Sequence, residues 1–282
     1  MESLTLDGAR QTGPAQEQHT TEIMTAMVGT VLCAQLNRPA KKNAMTFAMY
    51  SAIAGLLDDA AKDEGIRVVL LHGAGDSFSA GNDLDDFLHA SFPMDEKSPQ
   101  ARFIAALINF DKPVVAAVHG AAVGSGTTML MHCDFVYAAE NTIFRMPFID
   151  LALVPELGTS YSVPARIGYL AAAELFLLGK PFDAQRALNL GLVTRVVSDH
   201  GLMAAAMEAA QILAKKLSDA LRASKRLLKR WSREQIEAAA AVEMQEYDSR
   251  LHSADTRQAL TAFFEKHHPD AATARNTGDA SH

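Results

Sequence analysis

Two loops of small residues each follow a short apolar run, and together they could bind a negatively charged oxygen. Residues 78–84 (FSAGNDL) come after the run 68–71 (VVLL), and residues 119–128 (HGAAVGSGTT) come after the run 114–118 (VVAAV). Such runs are typical of buried parallel strands, and small residues after them let a ligand approach main-chain N–H groups. The second loop is also predicted to begin a helix at Thr127, where unpaired N–H groups favour an anion. Two converging N–H groups would form an oxyanion hole, although each loop alone also fits an ordinary strand-to-helix connection.

Glu156 is a candidate acid or base beside such a hole. It lies in residues 154–160 (VPELGTS), where Pro155 and Glu156 fit the first turn of a helix. That position also suits a carboxylate that only stabilises the helix dipole, so the pattern leaves both roles open. Apolar neighbours raise the pKa of a carboxyl group. Three apolar residues nearby are candidates for such neighbours: Phe148, Leu153 and Leu157.

Other polar residues near these segments fit structural roles better than chemical ones. Asp83 fits an acid that caps its loop, and Asp134 fits a side chain that bonds the backbone where a strand begins. Asp150 is a weaker candidate base. The spacings of His, Cys and acidic residues match no metal site. Structural roles are also expected for three histidines: His72, His119 and His132.

Hydrophobic periodicity and turn residues predict the strands and helices that hold these loops. Strands are predicted at 23–28, 31–36, 67–72, 114–118, 134–138 and 142–146. Helices are predicted at 46–63, 100–110, 164–178, 183–189, 202–217, 219–231, 233–250 and 254–266. The chain divides into a disordered lead (1–20), an α/β core (21–200), a helical region (201–268) and a loose tail (269–282). A dinucleotide-binding fold is disfavoured, because residues 124–126 (GSG) lack the third glycine of that fingerprint.

The composition of the chain limits which cellular compartment and which kinds of partner are expected. The chain has 282 residues, of which 49% are hydrophobic and 21% are charged, as in globular proteins. Its net charge of −7 disfavours nucleic acid and anionic membranes as partners. With only Cys33 and Cys133 there is no disulfide framework, which favours a reducing compartment, and we expect the cytoplasm. No apolar run approaches the roughly 18 residues of a membrane span.

Residues 22–268 resemble the crotonase (enoyl-CoA hydratase/isomerase) superfamily. The matching motifs are 37–45 (NRPAKKNAM), 78–84, 119–128, 133–138 (CDFVYA) and 191–193 (GLV), in the family's order. The resemblance implies a crotonase-like β-β-α spiral core, followed by a C-terminal helical region that forms trimers or dimers of trimers. It also implies that the main-chain N–H groups of Asn82 and Ser125 are the oxyanion donors. Family members often have glycine in place of Ser125, but a main-chain donor requires no particular side chain.

The resemblance also indicates which reaction to expect. Crotonase hydratases activate water with two glutamates, which would fall at Thr128 and Phe148, and neither residue here is acidic. Residues 78–84 and 154–160 are most similar to the peroxisomal-type 3,2-enoyl-CoA isomerases. That subgroup implies that Glu156 is the base that shifts a 3-enoyl-CoA double bond to 2-enoyl-CoA.

The substrate is then an acyl-CoA, and CoA is part of that substrate, so no separate cofactor and no metal is expected. A CoA ester is an anion, so a local basic patch is expected, with Lys41 and Lys42 as candidate point charges for its phosphates. We expect contacts with CoA or the acyl group at Lys41, Ser79, Ala80, Gly81, Asp83, Leu84 and Gly124.

Several alternatives stay open at the sequence level. The 4-chlorobenzoyl-CoA dehalogenases resemble this chain but have a nucleophilic aspartate at the place of Glu156 and need a tryptophan near the pocket. The only tryptophan here, Trp231, lies in the helical region, which argues against that reaction. Hydration that uses Glu156 alone, thioester hydrolysis, and a non-catalytic acyl-CoA-binding module are the remaining alternatives.

Overall fold

The strands form one large and one small sheet. The computed structural model describes residues 21–88 and 95–267, so the predicted lead and loose tail lie outside the described residues. The large sheet has the order β1-β2-β3-β4-β6-β9, and the small sheet has the order β5-β7-β8. The strands are β1 (Ile23–Val28), β2 (Val31–Leu36), β3 (Val68–Gly73), β4 (Val114–Val118), β5 (Ala121–Val123), β6 (Phe135–Ala139), β7 (Ile143–Arg145), β8 (Phe182–Asp183) and β9 (Arg195–Val197).

The large sheet is parallel apart from its first strand. β1 pairs with β2 as an antiparallel hairpin, whereas β2, β3, β4, β6 and β9 run parallel. The central strands β3 and β4 are almost entirely buried, as the apolar runs predict. Because parallel strands end at the same edge, the loops after β3 and β4 are neighbours.

Helices cover both faces of this sheet. They are α1 (Phe47–Lys62), α2 (Leu84–Leu88), α3 (Pro99–Asn109), α4 (Ser125–Thr128), α5 (Thr159–Ile167), α6 (Tyr169–Leu177), α7 (Ala184–Asn189), α8 (Leu202–Ala214), α9 (Ser218–Leu251) and α10 (Ala254–His267). One face packs against α1 and α3, and the other packs against α8. Alternating strand residues supply the two faces: Leu32 and Ala34 belong to the first core, and Val31 and Cys33 to the second.

Two of the predicted helix boundaries differ clearly from the structure. Residues 218–251 form one continuous helix, α9, where two helices with a break near Ser232 are predicted. One helix is also predicted at 164–178, but α5 begins at Thr159 and ends at Ile167, and Gly168, whose φ is +81°, separates it from α6. The start of α5 depends on the Glu243 carboxylate of α9, which accepts hydrogen bonds from Gly158 and Ser160 N–H. Such a distant cap leaves no local sequence signal.

Glu156 does not lie in the first turn of a helix, contrary to prediction. Leu157 and Gly158 both have positive φ, at +60° and +68°, so the chain turns sharply before α5 begins. Glu156 therefore projects from a turn between the short helical segment Ile149–Leu151 and α5. This turn, together with the loops after β3 and β4, builds the candidate site.

Candidate active site

The two small-residue loops lie side by side, as their place after neighbouring strands predicts. Ser79 exchanges main-chain hydrogen bonds with β5, donating to Ala121 and accepting from Val123 at 3.0 and 2.9 Å. A Cβ atom on Gly81 would lie only 2.6 Å from the Val123 carbonyl oxygen, so this approach requires glycine. The short strand β5, which the sequence pattern did not predict, thus fixes the first loop against the second.

Asn82 follows Gly81 and Ser125 follows Gly124, and the main-chain N–H groups of Asn82 and Ser125 are the expected oxyanion donors. Among the described residues, neither N–H donates a main-chain hydrogen bond in a turn, loop or cap. Ser125 is the first residue of α4, where an unpaired N–H is expected. A Cβ atom on Gly124 would lie 4.0 Å from the Cα of Gly81, so the chain segments that lead into the two donors are in contact distance. The two N–H groups are therefore the candidate oxyanion hole.

Both donors line a pocket of about 490 Å³. The first loop, β5, the segment after β7, and helices α9 and α10 contribute its walls. At its rim Arg145 forms an ion pair with Asp150 at 2.6 Å, and both side chains are partly exposed. The lining residues are Ala80, Gly81, Asn82, Leu84, Val123, Gly124, Ser125, Arg145, Pro147, Phe148, Asp150, Leu151, Leu153, Tyr247, Ala259, Ala262 and Phe263. A pocket of this size with largely apolar walls suits an acyl or pantetheine chain.

Glu156 is a buried carboxyl group next to this pocket, with an exposed fraction of 6%. Its pKa is raised to about 8, mainly by burial, while a hydrogen bond from Asn82 lowers the pKa and the Glu243 charge adds to the rise. Asn82 Nδ2 donates to Glu156 Oε2 over 3.4 Å. The other oxygen, Oε1, has no hydrogen-bond partner in the part of the chain that the structure describes. A carboxyl with this pKa and one unbonded oxygen is suited to exchanging a proton near neutral pH.

The Glu156 carboxyl faces a second, smaller cavity of about 20 Å³ rather than the 490 Å³ pocket. This cavity lies between α3, α9 and the turn at Glu156. Tyr247 borders both spaces, and Asn82, which lines the larger one, contacts the carboxyl. The proposed base and the proposed oxyanion site are therefore connected through these two side chains.

The turn that carries Glu156 is held from several directions. Glu243 of α9 accepts from Gly158 N–H and from Ser160 N–H, each at 2.6 Å. The His132 ring is within hydrogen-bond distance of the Leu157 carbonyl at 2.8 Å, and burial lowers the pKa of His132 to about 4. Leu157 has a left-handed backbone conformation, which is unfavourable for leucine. The contacts described above hold the turn in that conformation.

The structure places some of the expected binding residues on the pocket and others beneath it. Ala80, Gly81, Leu84 and Gly124 line the pocket. Ser79 is fully buried and donates to the Asn43 carbonyl at 2.9 Å, so it supports the loop from below.

Asp83 also has a supporting position, since it pairs with Arg38 at 2.8 Å and accepts from the N–H groups of Asp85 and Asp86. Lys41 is exposed in the turn Pro39–Lys41 and does not line the pocket.

Three further residues of the site carry no signal in the sequence. Tyr50 and Tyr247 contact the Asn82 side chain, and Glu243 caps the turn beside Glu156. Each lies in a helix and is more than 30 positions from its partner, so only the fold brings them together. Helices were predicted around all three residues, at 46–63 and 233–250, but no sequence pattern marks the three side chains as parts of a site.

Residues 21–88 and 95–267 contain neither a metal-ligand cluster nor a helix that could span a membrane. No group of three or more His, Cys, Asp or Glu side chains is arranged to hold a metal ion. No helix in that part of the chain combines the length and apolarity needed to cross a bilayer.

Known proteins resemble this chain over most of its length. The sequence profile of the enoyl-CoA hydratase/isomerase family matches residues 27–273. Enoyl-CoA delta isomerase 2 of Rattus norvegicus is 35% identical over 256 residues, which cover 89% of this chain and 65% of the rat protein. The chain thus spans just under two thirds of that relative. The 2,3-dehydroadipyl-CoA hydratase of Escherichia coli is 30% identical, with 89% of this chain and 98% of the hydratase covered.

Solved structures agree with these sequence matches. OdaA of Pseudomonas aeruginosa superposes with a TM-score of 0.83 at 39% identity, over 86% of this chain and 99% of OdaA. An enoyl-CoA hydratase/isomerase from Pseudoalteromonas atlantica gives the same score and identity, over 87% of this chain and 98% of its own. The family and the mixed α/β fold predicted from the sequence motifs are confirmed. This protein is a member of the enoyl-CoA hydratase/isomerase family.

Proposed function

We propose that this protein is a 3,2-enoyl-CoA isomerase. The observation that supports the proposal best is a single contact: the buried carboxyl of Glu156 is bonded to Asn82, the residue whose main-chain N–H belongs to the candidate oxyanion hole. A base and an oxyanion donor that share one residue suit proton transfer at a carbon next to a thioester.

The reaction would use one carboxyl group twice. The thioester oxygen of a 3-enoyl-CoA accepts hydrogen bonds from the N–H groups of Asn82 and Ser125, which makes the protons on C2 more acidic. Glu156, in its ionised form, turns toward the larger pocket and takes one C2 proton, and the negative charge spreads over a dienolate. Glu156 then returns the proton to C4, which gives the conjugated 2-enoyl-CoA and restores the carboxylate. Positioned proton transfer of this kind contributes about 10²–10⁴-fold to the rate.

The positions expected for the hydratase glutamates support isomerisation over hydration. Thr128 is fully buried, and its hydroxyl donates to the Gly124 carbonyl at 3.2 Å. Phe148 contributes an aromatic ring to the pocket wall. Neither side chain is a carboxylate that activates water, whereas isomerisation through a dienolate consumes no water.

The assembly and the ligand follow from the same proposal. The substrate is an acyl-CoA, CoA is part of it, and no further cofactor takes part. The protein forms a homotrimer or a dimer of trimers. Large apolar side chains exposed on α9, such as Leu228 and Trp231, are consistent with subunit contacts.

The decisive experiment compares two substrates. Purified protein is mixed with 3-hexenoyl-CoA, and the absorbance of the conjugated enoyl thioester is followed, while hydration of crotonyl-CoA is measured in parallel. Conjugation without hydration is the expected result. Hydration at a comparable or higher rate would overturn the proposal in favour of a hydratase. CoA-ester binding with neither activity would indicate a different acyl-CoA reaction or a binding protein.

A further inference from the structure

The Asn82 side chain has a set of contacts that its role as a main-chain donor does not use. The Tyr50 hydroxyl donates to Asn82 Oδ1 over 2.5 Å. At the other end of the amide, Nδ2 donates to Glu156 Oε2 over 3.4 Å and to the Tyr247 hydroxyl over 3.2 Å. The acceptor end of the amide therefore faces α1, and the donor end faces the carboxyl.

The orientation of this amide decides which atom Glu156 meets. Rotation by 180° about the last side-chain bond of asparagine exchanges its oxygen and nitrogen. In the orientation observed, Glu156 receives an N–H, whereas the reversed orientation would place an amide oxygen against the carboxylate. A hydroxyl that donates to Oδ1 favours the observed orientation. Tyr50 provides that hydroxyl from a fully buried position, and it does not line the 490 Å³ pocket.

We infer that Tyr50 is a positioning residue, which holds the Asn82 amide with its N–H end on Glu156 Oε2 and so favours the carboxylate form, with Oε1 unbonded for the proton. The inference rests on the proposed role of Glu156 as the base. It assigns different tasks to the two carboxyl oxygens, since Oε2 is anchored and Oε1 reacts. Asn82 then has two tasks: its main-chain N–H donates to the oxyanion, and its side chain orients the base.

The charges around Glu156 make this contact important. The titratable groups that face it are Glu243 and Tyr247 of α9 and Tyr50 of α1. From α3 and the residue before it, only uncharged Ser98, Gln100 and Ile104 reach the small cavity. Burial and the Glu243 charge favour the protonated carboxyl, and the bond from Asn82 opposes them.

The test is the pH dependence of isomerisation in Tyr50→Phe. The variant keeps the aromatic ring, which packs against Phe103 with 5.1 Å between ring centres, and removes only the hydroxyl. We expect the acid limb of kcat/KM to move up by about 0.5–1 pH unit, with a roughly 3- to 10-fold lower value at pH 7 that recovers at high pH. Tyr137→Phe is the matched control, because Tyr137 lies in the core on the opposite face of the sheet. Its acid limb should not move.

A double variant shows whether Tyr50 acts through Asn82. Asn82→Ala keeps the main-chain N–H and should move the acid limb in the same direction as Tyr50→Phe. In the Asn82→Ala background, Tyr50→Phe should cause no further shift. A shift of undiminished size in that background would overturn the inference, because Tyr50 would then act by another route.

A measurement on the ligand-free protein separates this inference from the proposed function. The carboxylic-acid band of Glu156 is followed against pH by infrared difference spectroscopy, with Glu156→Gln as the reference. The midpoint should rise in Tyr50→Phe and in Asn82→Ala, whether or not the protein isomerises 3-hexenoyl-CoA. Unchanged midpoints in both variants would overturn the inference even in an active enzyme. A raised midpoint in an enzyme without isomerase activity would support the positioning role and refute the proposed reaction.

Discussion

Glu156 and Glu243 are two buried glutamates that border the same small cavity, and their hydrogen bonding differs sharply. Both oxygens of Glu243 accept a main-chain N–H at 2.6 Å. Glu156 has one longer bond, at 3.4 Å, and one oxygen without a partner among the described residues. A fully bonded carboxylate is held in place, whereas an under-bonded one is free to bind a proton. The difference fits the proposal that Glu156 is the base, with Glu243 holding the turn beside it.

The largest effect is expected when Glu156, the proposed base, is replaced by an uncharged side chain. Glu156→Gln should lower the isomerase kcat by about 10²–10⁴-fold, because the amide cannot accept the C2 proton. Binding of a non-reactive CoA thioether should change little, as titration calorimetry would show. An isomerase rate near that of the wild type would exclude Glu156 as the base.

The same substitution should affect stability in a pH-dependent way. In the folded protein burial raises the pKa of Glu156 to about 8, so the folded state binds a proton that the unfolded state releases above pH 4.5. The free energy of unfolding therefore falls as pH rises from about 4.5 to about 8. In Glu156→Gln this fall in the free energy of unfolding is absent. Urea unfolding at pH 9 should therefore show that the variant is more stable than the wild type by up to about 4 kcal/mol. The advantage should disappear near pH 4.5, where both side chains are neutral. An equal advantage at both pH values would show that Glu156 is not buried as described.

Neutralising the second glutamate should have the opposite effect on stability. Glu243→Gln leaves one of the two bonded N–H groups facing an amide nitrogen, so the free energy of unfolding should fall by about 2–3 kcal/mol at pH 7. The removal of its charge lowers the pKa of Glu156, because Glu243 is one of the causes that raise it. The acid limb of the isomerase profile should therefore move to lower pH. A variant that loses activity at every pH with unchanged stability would contradict the division between the two glutamates.

The smallest expected difference is between alanine substitutions at the glycine between the two carboxyls and at a control glycine. Gly158 has φ of +68°, and an added Cβ would lie 2.7 Å from the Ile236 carbonyl oxygen. Gly191 offers a matched control, since its φ is +76° at the left-handed end of a helix and an added Cβ would have no atom within 4 Å. Both alanine variants incur the backbone penalty of about 1 kcal/mol, and Gly158→Ala should lose about 1–2 kcal/mol more in a thermal melt. Equal losses of stability in the two variants would mean that α9, which carries Ile236, shifts at little cost to accommodate the added Cβ.

Local patterns predicted the sheet better than the helices. Strands β1, β2 and β4 were predicted with the observed boundaries, because apolar runs between turn residues define them. β5, β8 and β9 were missed, since two or three residues are too few to show a period. The predicted break in α9 near Ser232 was wrong, because that hydroxyl bonds the Lys229 carbonyl within a continuous helix.

The candidate site was only partly predictable. Small residues after two apolar runs predicted the loops that carry Asn82 and Ser125, and the structure places both on one pocket. The importance of Glu156 came from resemblance, since its position in the sequence fits a helix start equally well. Tyr50, Tyr247 and Glu243 could not be found, because their roles depend on contacts with residues 32 to 165 positions away.

The location of Tyr247 and Phe263 on α9 and α10 has a consequence for the protein as it is synthesised. A ribosome completes both oxyanion loops before it begins the helices that close the pocket. Domains form from the N-terminal end during synthesis, so the sheet has time to assemble first. Until α9 emerges, the N–H groups of Gly158 and Ser160 lack their Glu243 acceptor. On the proposed assignment, the nascent chain has its oxyanion donors well before Glu243 can hold the turn that carries the base, so the site is complete only after the helical region has docked.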